Sequence, residues 1–274
     1  MPAVEREKQQ LLEVKRKLKE SEGAEFDGKI NPWDVRLLQR LNKESTFSVD
    51  MDALTQYLPL DAVTEGMLSV YQHLLGLRFQ RVPDAHVWHP DVTAYAANDA
   101  ASGELVGYFY LDLFPRDGKY THACCSPLQP SCVVNGKREP SAAAMLANFP
   151  RPSDGEPALL THEDLVTYFH EFGHVMHYVC GRAELSYFNS FNVETDFVEA
   201  PSQMLENWCW RPEPLRRLSR HVKTGQPIPT DLVEKLAASR DANVALLTQR
   251  QLVFATFDQE IHRSMPDDID AVYT

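Results

Sequence analysis

The stretch that decides the fold is THEDLVTYFHEFGHVMHYV, residues 161–179. Leu165, Phe169, Phe172, Met176 and Val179 recur at steps of three and four, the period of a helix with one apolar face. Thr161 stands where its hydroxyl can cap the first turn, and Asp164 holds the reciprocal third position of a capping box. A helix packed along such a stripe holds its polar residues in fixed places. His170 and His174 are four apart, hence one turn apart on one face, and two imidazole nitrogens can meet one ion at about 2.0–2.1 Å. Glu171 lies about 100° further round the helix, beside the pair rather than between them, where a general base can hold a water. Gly173 in mid-helix costs ~1 kcal/mol relative to Ala, and its missing Cβ reads as room for a substrate or a neighbouring strand.

Two histidines need a third ligand. The acidic residue with the best setting is Glu199, 25 residues after His174, a gap that lets the chain turn and return a second helix antiparallel to the first. Pro201 bends that helix or marks its start. Glu194 and Glu206 compete with Glu199, and Asp196 or Gln203 could orient a ligand imidazole. Two His and one Glu leave a fourth position on a single zinc ion for water, the open arrangement of a hydrolytic site. His177 is read as a histidine that packs or supports a ligand from behind rather than touching substrate, and His162 and Glu163 as capping, dipole-complementing surface residues of the first turn.

Outward from this helix the pattern is mixed. Residues 3–20 form a charged helical stretch, Asn31-Pro32 opens a helix through Trp33 and Leu41, and a third helix runs from about Asp61 to Leu75, ended by Gly76. Over 91–114 the period becomes two, with Leu105, Phe109, Leu111 and Leu113 facing one way and Tyr108, Tyr110 and Asp112 the other, which predicts a β-hairpin. Proline and glycine make 115–160 mostly loop with short strands or helices between, and from Leu160 to Arg263 the chain reads as almost wholly helical. The fold class expected is α+β and mainly α-helical, with a small antiparallel β-sheet ahead of the HExxH helix. It divides into a helical region (1–90), a hairpin and loop region (91–160) and a helical zinc-site region (161–274).

The 274 residues are 43% hydrophobic and 24% charged, an ordinary globular composition. A net charge of -12 opposes binding to nucleic acid or to anionic lipid. Five cysteines, without a CxxC pair, are expected as free thiols. The first residues lack an apolar signal core and no stretch approaches the roughly 18 apolar residues of a membrane span, so the sequence reads as soluble and intracellular.

HEFGHVMH at 170–177 and FVEAPSQMLENW at 197–208 resemble the thimet oligopeptidase and neurolysin family of zinc peptidases. The likeness continues through Asp99–Glu104, Phe109–Leu113, Gly118–Tyr120 and Leu128–Pro130. It implies a zincin-like fold with His170, His174 and Glu199 as zinc ligands, Glu171 as base, and a cytosolic endopeptidase, or a mitochondrial one where a targeting segment lies outside this chain, that cuts short peptides inside a channel closed to folded proteins. Members of that family are more than twice this long, so the likeness covers their central, metal-centre region. A helical region before it and a Gly- and Tyr-rich loop after it, resembling oxyanion stabilisers, are expected outside this chain. Without that loop, zinc binding with impaired catalysis is the alternative expectation.

Overall fold

The computed structural model describes residues 2–153 and 155–263, together with Ile269 and Val272; the other positions of the region read as helical, 264–268, 270, 271, 273 and 274, lie outside the described residues. In chain order its helices are α1 (Pro2–Glu22), α2 (Val35–Phe47), α3 (Met51–Thr55), α4 (Leu60–Leu75), α5 (His162–Val179), α6 (Ala200–Glu206), α7 (Pro212–Leu218), α8 (Thr230–Ala238) and α9 (Val244–Arg263). Its strands are β1 (Leu77–Arg81), β2 (Thr93–Asp99), β3 (Leu105–Asp112), β4 (Cys124–Gln129), β5 (Cys132–Val134), β6 (Lys137–Glu139) and β7 (Ser141–Leu146). The chain is α+β and mainly helical, as its patterning predicts. It forms two compact units, residues 1–49 with 235–274, and residues 50–234.

In the first unit α1 buries Leu11 and, unusually, Lys15. A buried ammonium needs partners, and Lys15 has Asp27 at 2.8 Å, Asp34 at 2.9 Å and the Lys29 carbonyl at 2.7 Å. This pairing moves the start of the second helix. The sequence places it at Pro32, but α2 begins at Val35, because Asp34 closes a turn with Asn31 through the Asn31 N–H and side-chain amide, both at 3.0 Å. Trp33 is left 78% exposed. The Glu7 carboxylate accepts from the N–H groups of Ala245 and Leu246 at 3.1 and 2.8 Å, an anion at the positive end of α9.

In the second unit α4 ends at Gly76, whose φ of 65° is the left-handed conformation expected of it. The predicted hairpin is β2–β3, turned by Asp99, whose Oδ1 accepts from the N–H groups of Ala101 and Ser102 at 3.1 and 2.8 Å. The sheet order is β1-β2-β3-β7-β4, and one pairing differs from the antiparallel sheet read from sequence: β3 and β7 run parallel. A parallel pair needs a long crossover, and the proline-rich segment after β3 supplies it through β4 and the β5–β6 hairpin. Pro127 falls inside one of the short strands expected there. It sits in the edge strand β4 where the register slips, one of the places a sheet tolerates proline.

The core lies where α4 and α5 cover this sheet. The Phe172 ring meets Tyr71 and Phe109 edge-on, with centroids at 4.8 and 5.2 Å, and the Tyr71 hydroxyl donates to the Phe169 carbonyl at 2.7 Å. Phe109 and Leu111 point inward as the alternation predicts, Leu105 is 36% exposed at the strand's start, and Asp112, read as outward, is fully buried. Its carboxylate collects the Trp88 indole N–H at 2.8 Å, Arg116 in a two-pronged pair at 2.7 and 2.8 Å, and Lys119 at 2.8 Å. Lys119 also donates to the carbonyls of Phe114 and Ala147, tying the loop after β3 to the end of β7.

Candidate metal centre

α5 starts as its capping box demands. The Asp164 N–H donates to the Thr161 hydroxyl at 3.0 Å and the Thr161 N–H to the Asp164 carboxylate at 2.9 Å. Leu165, Phe169, Phe172, Met176 and Val179 are all buried, so the helix is held along its length. His162 is also buried rather than on the surface: its Nε2 lies 2.8 Å from the Cys209 carbonyl, and its ring meets Trp210 edge-on. Capping logic put it outside, but the 3-10 turn Asn207–Trp210 covers it.

His170 and His174 stand side by side on α5, ring centroids 4.9 Å apart. Glu199 is brought to them from the residue preceding α6, and Pro201 lies in the first turn of that helix, where its missing N–H costs nothing. Glu199 Oε2 is 3.2 Å from His170 Nε2 and 3.1 Å from His174 Nε2, and the three ligand atoms lie within 4.8 Å of one another. Atoms about 2.0–2.2 Å from a tetrahedral ion stand about 3.3–3.6 Å apart, so this donor set, at a slightly shorter spacing, suits a zinc-sized cation. Glu199 is half-exposed, which leaves one side open. Among the described residues, this is the one group of three or more His, Cys, Asp or Glu side chains that could hold a metal.

Glu206 stands at the far end of α6. Its Oε1 is 2.7 Å from His170 Nδ1, which as donor leaves the Nε2 lone pair turned toward Glu199 and His174. That bond holds the His170 pKa above its usual value against burial, helped by the charges of Glu171, Glu206 and Glu199. Burial pulls His174 the other way, below its usual value, although Glu199 opposes it. Burial works to raise Glu199 as well, but the Ser202 hydroxyl, donating to its Oε2 at 2.7 Å, and the two imidazoles hold the carboxyl below the ordinary range. Glu206 therefore touches an imidazole from behind, while Glu194, Asp196 and Gln203 are exposed. The signal was in the sequence: Glu206 is seven residues, two helical turns, past Glu199, on the same side of one short helix.

Glu171 faces the sheet's edge. Burial chiefly, and the Glu199 charge, raise its pKa above the usual carboxylate value, while His170 and the Cys125 N–H of β4 draw it down. The room left at Gly173 is taken by no strand but by the backbone of α6 at Ser202. His177 packs near Phe191 and Phe197, with both ring centroids at 6.3 Å, and stays out of the cluster. The five cysteines are unpaired. No described helix is long and apolar enough to cross a membrane.

The model of peptidase family M3 matches residues 1–272. A thimet-like oligopeptidase of Dictyostelium discoideum is 40% identical over 93% of this chain and 39% of its own length. Saccharolysin of Saccharomyces cerevisiae is 41% identical over 84% of this chain and 33% of its own. Oligopeptidase A of Escherichia coli is 36% identical over 89% of this chain and 36% of its own. The chain thus spans between a third and two fifths of the length of these relatives. With its HExxH helix, the acidic partner that precedes α6 and a family match over nearly every residue, the chain belongs to peptidase family M3.

Proposed function

We propose that this chain carries the metal centre of a zinc-dependent oligopeptidase that hydrolyses peptide bonds in short peptides, working in the cytoplasm. The observation that supports it most is the convergence of His170 Nε2, His174 Nε2 and Glu199 Oε2 on one point, with Glu171 next in the chain to the first of them. In this reading His170, His174 and Glu199 hold one zinc ion. Bound zinc supplies an acidified water and a Lewis acid for the scissile carbonyl. Glu171 would serve as the general base, its carboxylate taking a proton from the attacking water and giving it to the departing amine, and burial, which raises its pKa, makes it a stronger base. The edge strand β4, whose Cys125 N–H reaches Glu171, offers free backbone groups to an extended peptide, which favours peptides over other acyl substrates. The relatives named oligopeptidases point to short chains as substrates. A net charge of -12 argues against nucleic acid as a partner.

The test is metal analysis of the purified chain with hydrolysis of an internally quenched peptide. One zinc per chain is expected, with turnover that a chelator abolishes and added zinc restores. A chain that retains no zinc in equilibrium dialysis sinks the proposal, and stoichiometric zinc without turnover reduces it to a zinc-binding chain. The Glu206–His170 bond yields a second prediction. Glu206→Gln exchanges a charged acceptor for a neutral one behind the imidazole, and zinc affinity should fall about 10–100-fold. Competition against a chromophoric chelator reads this directly, and an unchanged Kd would show that the bond does not tune the ligand.

A further inference from the structure

α6 packs on α5 at the place where α5 has no side chain. A methyl group built at Gly173 would stand 2.9 Å from Ser202 Cα and 3.5 Å from both the Pro201 carbonyl oxygen and Leu205 Cδ1. The nearest of these is backbone, which cannot swing aside as a side-chain tip can. Restoring ordinary carbon–carbon contact at about 3.5–4.0 Å requires α6 to move by about 0.6–1 Å. Metal–ligand distances tolerate about 0.2 Å. Ser202 is fully buried, and its hydroxyl is the group that anchors the Glu199 carboxylate. At the other end of the same helix Glu206 reaches His170. Intrinsic preference argues the opposite way, since Ala in mid-helix would favour α5 over Gly.

We propose that Gly173 is a positioning residue of the metal centre: its missing side chain seats α6 on α5, and that seat sets where Glu199 and Glu206 meet the two imidazoles. The inference rests on reading His170, His174 and Glu199 as zinc ligands. It goes further by assigning a role to a residue that touches neither metal nor substrate.

The experiment measures zinc Kd by chelator competition, and melting of the metal-free protein, for wild type, Gly173→Ala, Ser202→Ala, His170→Ala and Gly66→Ala. Gly66 is the control, a glycine of α4 whose added methyl would stand 2.9 Å from Leu218 Cδ2 and 3.0 Å from Leu218 Cα, in a contact between α4 and α7. Gly173→Ala should weaken zinc at least tenfold yet melt no lower than Gly66→Ala, which should keep its zinc Kd within twofold of wild type. A Gly173→Ala Kd within twofold of wild type, or an equal zinc loss in Gly66→Ala, overturns the proposal. If Gly173→Ala does not fold, Ser202→Ala decides, because it keeps the packing and removes only the anchoring hydroxyl: weakened zinc supports the proposal, unchanged zinc overturns it. Wild type and His170→Ala binding zinc alike would instead sink the reading of the site itself.

Discussion

Replacing Glu171 by glutamine is expected to lower peptide hydrolysis by about 10²–10⁴-fold, the range over which a positioned general base acts, while zinc stays bound. Glutamine keeps the size of the side chain and can still accept the Cys125 N–H through its amide oxygen, so β4 and α5 stay in place. What it cannot do is take a proton from water and return it to the leaving nitrogen. The loss should therefore fall on kcat rather than on KM, since the chain keeps the surfaces that bind the peptide. Zinc content measured on the same preparation separates a missing base from a missing metal. Turnover within tenfold of wild type, with zinc bound, would remove Glu171 from the proposed role.

The second large effect lies away from the metal. Asp112→Asn should cost about 3–5 kcal/mol of stability, because it leaves the buried Lys119 ammonium without its counter-charge. Arg116, partly exposed, can turn toward water, but Lys119, at 1% exposure, cannot. Burial works to raise the Asp112 carboxyl, yet Arg116, Lys119 and Trp88 together hold it far below the ordinary range. A depressed carboxyl contributes its full stability above the unfolded value of about 4, and the contribution is lost as acid carries the pH down toward the folded value. The gap between wild type and variant in urea unfolding should therefore be widest at neutral pH and narrow below about pH 4. Adding Lys119→Met to Asp112→Asn should recover part of the loss, since the stranded charge goes with it. A gap under 1 kcal/mol at neutral pH would show that the pair is not what holds the β3 and β7 ends together.

Much of this protein is legible along the chain wherever the rule is local. The capping box at Thr161, the αL stop at Gly76, the apolar stripe of α5 and the one-turn spacing of His170 and His174 follow from helix geometry, which needs no partner from elsewhere. The β2–β3 hairpin follows likewise from period and turn chemistry. Glu199 could be preferred to Glu194 and Glu206 by its setting, but which of three carboxylates reaches a point depends on how the 24 residues between His174 and Glu199 fold. The parallel β3–β7 pair, the burial of Asp112 and His162 and the start of α2 at Val35 are likewise decided by contacts between distant segments. Gly173 shows the division most plainly. Sequence alone determined that a helix with two histidines on one face carries a residue that weakens it. Only the tertiary structure decided that the space belongs to Ser202 of α6, because close packing of two backbones has no signature in either segment taken alone.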